Sequence, residues 1–288
     1  MKRILITGAG SFVGTAVEKW LKKYEPDYTV ATLDVRGDEW RKFSMEGYDV
    51  IFHVAGIAHV DPKPEMAPLY YKVNTDLTKE IAEVAKKAHV SQFIFMSSMI
   101  VYHASKSLTP TVIDKETTPK PNDFYGDSKL KAEIALNALK DKNFKVAILR
   151  PCMIYGPDGK GNFQRLEKLA LSTPIFPNWH NSRSMLFIDN LCEFVRQTIV
   201  RELEGIFPLQ NREFADTVEI VKFYAQNAKH PIWISKIFNP FVKVGAKILS
   251  PVSKMFADQY YTPDTTTYNF DYQIVSLQDS LRIMAQRN

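Results

Sequence analysis

The chain opens on Arg3-Ile4-Leu5-Ile6, a short apolar run that passes at once into a glycine-bearing turn. A run of that kind predicts a strand buried on both faces. From Val13 to Tyr24 the residues Val13, Ala16, Val17, Trp20, Leu21 and Tyr24 recur at helical spacing, while Glu18, Lys19, Lys22 and Lys23 fall on the other side. That predicts an amphipathic crossover helix. Further strands are expected at Tyr28 to Leu33, Val50 to Val54, Gln92 to Met96 and Val146 to Leu149, with helices around Val73 to Ala88 and Tyr125 to Leu139 filling the longer gaps. The alternation predicts an α/β fold with a doubly wound parallel sheet.

After Pro151 the regularity fails, because Pro157, Gly159, Gly161, Pro174 and Pro177 break the chain into loops around one helix near Phe163 to Leu171. Such a region reads as a substrate lobe. A strand at Met185 to Ile188 and a helix at Leu191 to Val200 look like the sheet domain again, so two interleaved lobes are expected. Residues 1–155, with 183–204 returning to them, would form the first, and 156–182 with 205–288 the second.

Composition changes this picture little. Of 288 residues 45% are apolar and 24% charged, and the net charge of +5 is spread over both halves. No basic half or tail argues for a nucleic-acid partner. No stretch approaches the roughly 18 apolar residues that span a bilayer, so no integral membrane segment is expected, and Ile4 to Ile6 is too short for a secretory signal. Cys152 and Cys192 lack metal-ligand spacing; no metal site is expected, and the pair suits a reducing cytoplasm. One segment stands apart: from Lys229 to Lys254 there are five lysines and no acid among many apolar residues. Either Phe241, Val244 and Ile248 form the apolar face of a basic interfacial helix, or, the preferred reading, they belong to a helix of the substrate lobe that covers the substrate.

Chemistry is carried by two constellations. Thr7-Gly8-Ala9-Gly10-Ser11-Phe12-Val13-Gly14 joins the first strand to the first helix. Glycines there let backbone approach a pyrophosphate, and the helix start offers N–H groups and a positive dipole end, so Gly8, Gly10, Ser11, Phe12, Val13 and Gly14 are candidate dinucleotide-binding residues. Asp34 ends the second strand 20 residues after Gly14, where its carboxylate can accept both ribose hydroxyls of an adenosine. NAD is therefore favoured over NADP, although Arg36 could instead pair with a 2′-phosphate. The second constellation is Tyr125-Gly126-Asp127-Ser128-Lys129, with tyrosine and lysine four apart on one helix face, and Ser97-Ser98 at a strand end. A phenol near pKa 10 needs a neighbouring ammonium to exchange protons at neutral pH.

Taken in order, these motifs resemble the extended short-chain dehydrogenase/reductases of the NAD-dependent epimerase/dehydratase type. Further marks are Asp49 to Gly56, Val73-Asn74, Ser97 to Tyr102, Leu149-Arg150-Pro151 through Tyr155-Gly156-Pro157, and Arg183 through Leu191. The resemblance covers nearly the whole chain and implies a Rossmann-like sheet with a smaller, interleaved C-terminal substrate lobe. It implies Tyr125 as catalytic acid/base, Lys129 holding the nicotinamide ribose and lowering the Tyr125 pKa, and Ser98, or Ser97 if the strand end slips, bonding the reacting sugar oxygen. Val54, Ala55, Gly56 and Pro151 would line the cofactor; Asn74, Asn162 and Arg183 would meet the substrate. His59 reads as a loop residue outside this set.

The implied partner is a nucleotide sugar, above all a UDP-N-acetylhexosamine derivative of surface polysaccharide synthesis, acted on by a 4-epimerase or a 4-keto reductase; a homodimer is implied as well. A catalytically idle NAD-binding scaffold or redox sensor, or a reductase of a smaller carbonyl, are the alternatives. One departure stands out: the family turn reads Thr-Gly-x-x-Gly-x-x-Gly, and Ser11 occupies the place of its middle glycine.

Overall fold

The computed structural model describes residues 1–58, 63–103, 107–159 and 161–286. In chain order the strands are β1 (Lys2–Thr7), β2 (Tyr28–Leu33), β3 (Val50–His53), β4 (Gln92–Met96), β5 (Thr111–Ile113) and β6 (Lys145–Pro151). They continue with β7 (Met153–Tyr155), β8 (Ile175–Pro177), β9 (Met185–Phe187), β10 (Gly205–Leu209), β11 (Trp233–Ser235) and β12 (Gln259–Tyr261). The helices are α1 (Phe12–Lys22), α2 (Ala67–Tyr70), α3 (Leu77–Lys87), α4 (Phe124–Leu139) and α5 (Asn162–Ser172). After these come α6 (Ile188–Val200), α7 (Thr217–Asn227), α8 (Asn239–Ile248), α9 (Ser250–Phe256) and α10 (Leu277–Ala285).

The chain divides into two units. The first comprises Met1–His103, Thr118–Pro151 and Ile188–Leu209. Its sheet has six parallel strands in the order β10-β6-β4-β3-β1-β2. Leu5, Ile51, Phe93, Phe95 and Ile148 pack with Ile81, Ala82 and Ala85 of α3 and Ala132 and Leu136 of α4. Strand residues alternate in direction, so Ile4 and Ile6 face the opposite side, where α1 packs on α6. Apolar side chains are thus needed on both faces of each strand, which is why these strands read as continuous runs.

The second unit comprises Ala104–Thr117, Cys152–Phe187 and Gln210–Asn288. It is built from three short parallel pairs, β5 with β12, β7 with β9 and β8 with β11, and from α5 and α7 to α10. Four boundaries differ from the sequence expectation. Met153–Tyr155, expected in the first lobe, belongs to the second unit because β7 pairs with β9. Gly205–Leu209, expected in the second lobe, pairs with β6 and closes the large sheet; Pro208 is accommodated because the strand is an edge. Met185–Phe187, expected to return to the first lobe, pairs instead with β7. Thr111–Ile113 leaves the first unit because Thr111 N donates to Asp258 O at 2.9 Å and the strand pairs with β12.

Candidate active site

The turn after β1 is shaped by close backbone approach. Gly8 adopts φ +104°, and a Cβ placed there would lie 2.8 Å from Ala55 N. Ala55 N itself donates to Thr7 O at 3.1 Å, so the ends of β1 and β3 are held together. Gly10, at φ +73°, faces open space. Ser11 caps α1: its hydroxyl accepts from Gly14 N at 3.1 Å, and a Cβ on Gly14 would meet that oxygen at 2.7 Å. The departure from the family turn thus resolves into a helix cap, and the Ser11 hydroxyl keeps its own hydrogen to donate. The first-turn amides of α1 have no intrahelical acceptors and stand at the positive end of the dipole, a cradle suited to a pyrophosphate.

Asp34 follows β2, the neighbour of β1. Its carboxylate accepts from Arg36 Nη2 at 2.5 Å and from Arg36 N at 2.9 Å. Those bonds hold its pKa down at about 2, so it is ionised at any working pH. Both side chains are exposed. Arg36 is therefore folded onto Asp34, and to grip a 2′-phosphate it would have to leave that carboxylate. Glycine cradle, helix start and ionised acid together fit NAD.

At the end of β4 the chain turns through Ser98–Val101 into the neighbourhood of α4. Asp123 caps α4 by accepting from Gly126 N at 2.7 Å. A Cβ on Gly126 would lie 2.7 Å from Ile100 O and 2.8 Å from the Pro121 Cβ, so glycine alone lets this turn of helix close on the loop. The contact sets Ser98, whose hydroxyl accepts from Ile100 N at 3.2 Å, in the neighbourhood of Tyr125. Burial pushes the Tyr125 hydroxyl up to about 12, and the nearby Ser98 hydroxyl opposes that shift. Lys129 Nζ donates to Met96 O at 2.9 Å and lies 4.7 Å from the centre of the Phe95 ring. Burial pushes its pKa down to about 8, against the pull of the Glu133 carboxylate. Lys129, expected to lower the Tyr125 pKa, is instead turned to the strand-end carbonyl.

Ser97, the alternative to Ser98, is buried and donates to Glu133 Oε1. Glu133 is held in turn by Arg150, whose Nη2 reaches Oε2 at 2.5 Å and whose Nη1 donates to Tyr102 Oη at 2.8 Å. All four groups are buried, and the network ties α4 to β4 and β6. The sequence reading missed it; its trace was Glu133, an acid four residues after Lys129 on a helix face rich in small apolar residues. Asn74 was expected to meet substrate. Its side chain instead accepts from Ile57 N at 2.8 Å and donates to Ser128 Oγ at 3.1 Å, joining the loop after β3 to α4. Gly56 lies in this junction, where a Cβ would sit 3.0 Å from Asn74 Oδ1 and 3.1 Å from Lys129 Nζ. His53 is buried between Thr7 Oγ1 and Thr78 Oγ1, its pKa driven down to about 3, and serves the core.

The first unit thus brings together Gly8 to Gly14, Val54 to Gly56, Ser98, Tyr125 and Lys129 at the carboxyl ends of β1, β3 and β4, with Asp34 after β2 and Pro151 ending β6. Arg183 belongs to the second unit, where its backbone pairs with Ala215. Burial lowers its pKa, and among the described residues no carboxylate forms an ion pair with it. Asn162 opens α5, but its side chain lies outside the described residues, as does His59. Both cysteine thiols are buried and pushed up, which makes them inert packing groups. No cluster of metal-ligating side chains occurs among the described residues.

A family model described as the NAD dependent epimerase/dehydratase family matches residues 4–201. A UDP-glucose 4-epimerase of Vibrio cholerae is 31% identical over 256 residues, which are 81% of this chain and 77% of that protein. An N-acetyl-alpha-D-glucosaminyl-diphospho-ditrans,octacis-undecaprenol 4-epimerase of Escherichia coli O157:H7 is 28% identical, over 70% of this chain and 64% of its own length. Among solved structures, a UDP-glucuronic acid 4-epimerase from Bacillus cereus in complex with NAD matches with a TM-score of 0.75 at 19% identity, covering 99% of this chain and 96% of that one. At that identity the structural likeness bears on the fold.

Proposed function

Because the chain belongs to the NAD-dependent epimerase/dehydratase family, NAD-using enzymes of the short-chain dehydrogenase/reductase type, we propose that it acts at C4 of a UDP-(N-acetyl)hexosamine derivative, as a 4-epimerase or a 4-keto reductase. The observation that carries this is the gathering of Ser98, Tyr125 and Lys129 at the carboxyl edge of the sheet that also holds the glycine cradle. Both curated relatives described above are named as 4-epimerases.

NAD, held by Gly8 to Gly14 and Asp34, would supply the hydride acceptor and donor. The chain's own residues would move the proton. With a pKa near 12 Tyr125 is a neutral phenol at pH 7, poised to give its proton to a carbonyl oxygen that Ser98 also bonds. In the oxidative direction a Tyr125 phenolate would take the hydroxyl proton, and for the Lys129 ammonium to support that phenolate it would have to turn from the Met96 carbonyl. General acid/base help of this kind contributes about 10²- to 10⁴-fold. The presence of serine, tyrosine and lysine together at the carboxyl edge of the sheet argues against an idle scaffold.

In this reading the first unit binds the cofactor and the second the sugar nucleotide. A half-buried guanidinium with which no carboxylate among the described residues forms an ion pair, Asp258 acting on it only from a distance, favours an anionic ligand, and Arg183 is such a group. UDP-N-acetylhexosamines are expected to raise the melting temperature, and Arg183→Ala to cancel the rise. An equal rise in Arg183→Ala would remove Arg183 from the diphosphate site. A homodimer through α3 and α4 is also proposed, as the family resemblance implies; sedimentation as a monomer at micromolar concentration would exclude it.

A further inference from the structure

Helix α8 has two apolar faces, and the fold uses one. At about 100° per residue, Val242 and Ala246 lie on one side of α8 and are buried. Phe241, Val244 and Ile248 lie well around the cylinder from them, and Ile237, one turn earlier, continues their row. These four are 59% to 74% exposed. This face is thus not buried against the chain's own core. Trp233, also exposed, extends the patch: its ring lies 5.1 Å from that of Phe238, which precedes α8. Single exposed apolar residues are ordinary, but a contiguous row on one helix marks a contact surface.

The charges along this stretch of chain have one sign. Lys236, Lys243 and Lys247 are exposed along one flank of the row, with Lys229 and Lys254 beyond its ends, and no acid occurs from 229 to 257. Elsewhere Lys2, Lys86, Lys131 and Lys145 reach carboxylates at 2.6 to 2.9 Å. Among the described residues none of the five lysines around α8 is in an ion pair. A second copy docked by a twofold axis on this face would set lysine against lysine, which like-charge repulsion opposes. An anionic lipid surface offers what the face lacks, phosphates for the lysines and an apolar layer beneath them for the phenylalanine and isoleucines. Ten residues of α8 are too few to cross a bilayer, so the helix would lie in the interface.

We infer that the α8 face formed by Ile237, Phe241, Val244 and Ile248, flanked by Lys236, Lys243 and Lys247, docks the protein on an anionic membrane surface. Flotation of the full chain with vesicles tests this. The protein is expected to float with phosphatidylcholine–phosphatidylglycerol vesicles, to stay behind with phosphatidylcholine alone, and to be released by high salt. Lys243→Gln combined with Lys247→Gln should weaken partitioning roughly 25-fold, about fivefold per lysine. Phe241→Ser combined with Ile248→Ser should abolish it without lowering the melting temperature, because both side chains are outside the core. Equal recovery in the soluble fraction with and without phosphatidylglycerol would overturn the inference. So would a dimer in sedimentation that the Phe241 and Ile248 substitutions dissociate, since the face would then belong to a second copy.

Discussion

Lys129 and Asp34 carry the two residue-scale claims that solution chemistry can separate. Lys129 is a buried base whose pKa is pushed down to about 8, so its ammonium is lost as pH rises through that value. If the ammonium supports the phenolate, kcat falls above about pH 8. The Glu133 carboxylate holds the Lys129 pKa up; Glu133→Gln should therefore move the fall to lower pH. A fall that stays in place would detach Lys129 from the pH profile. The same substitution strands the Arg150 guanidinium and should cost about 3–5 kcal/mol, read as a lower melting temperature. Asp34 makes a different claim. Its ionised carboxylate, with Arg36 folded onto it, repels a 2′-phosphate. Wild type should bind NADH more tightly than NADPH, and Asp34→Ala should lose the preference. If wild type prefers NADPH, Arg36 governs the pocket.

At the scale of elements, the turn between β1 and α1 makes a graded prediction. Gly8→Ala adds a positive-φ strain and a collision with Ala55 N at 2.8 Å, whereas Gly10→Ala adds the strain alone, about 1–2 kcal/mol. Calorimetric titration with NADH should show a larger loss for Gly8→Ala; equal losses would mean that the packing of β1 on the β3 loop does not shape the cofactor site. These elements were legible because each is specified locally: Arg3 to Ile6 is a continuous apolar run, and Tyr125 and Lys129 share a helix face by spacing alone. What was illegible depended on tertiary contact. Gly205–Leu209 contains glycine and proline and looks like loop, and only its edge position beside β6 makes it a strand. Thr111–Ile113 is too short to announce itself and is defined by a partner nearly 150 residues away. The choice between Ser97 and Ser98 depended on which side of β4 faces α4 at Glu133, and no pattern in the sequence carries that.

At the scale of the molecule, three segments of chain build each unit, and the polypeptide passes repeatedly from one to the other. Tyr125 and Ser98 lie in the first unit and Arg183 in the second, so the proposed function divides cofactor chemistry and sugar recognition between separate cores of one chain. The central claim is that this arrangement performs proton-coupled hydride transfer at C4 of a nucleotide sugar, and it can be tested in one assay. A panel of UDP-, GDP- and dTDP-sugars is incubated with the purified protein and with Tyr125→Phe, while NADH absorbance and product stereochemistry are followed together. The account predicts conversion of a UDP-N-acetylhexosamine derivative, as epimer without net NADH change or as reduced keto-sugar with stoichiometric NADH loss, and no turnover by Tyr125→Phe despite retained NADH binding. Absence of binding by every nucleotide sugar at millimolar concentration, or activity in Tyr125→Phe within a few-fold of wild type, would contradict it.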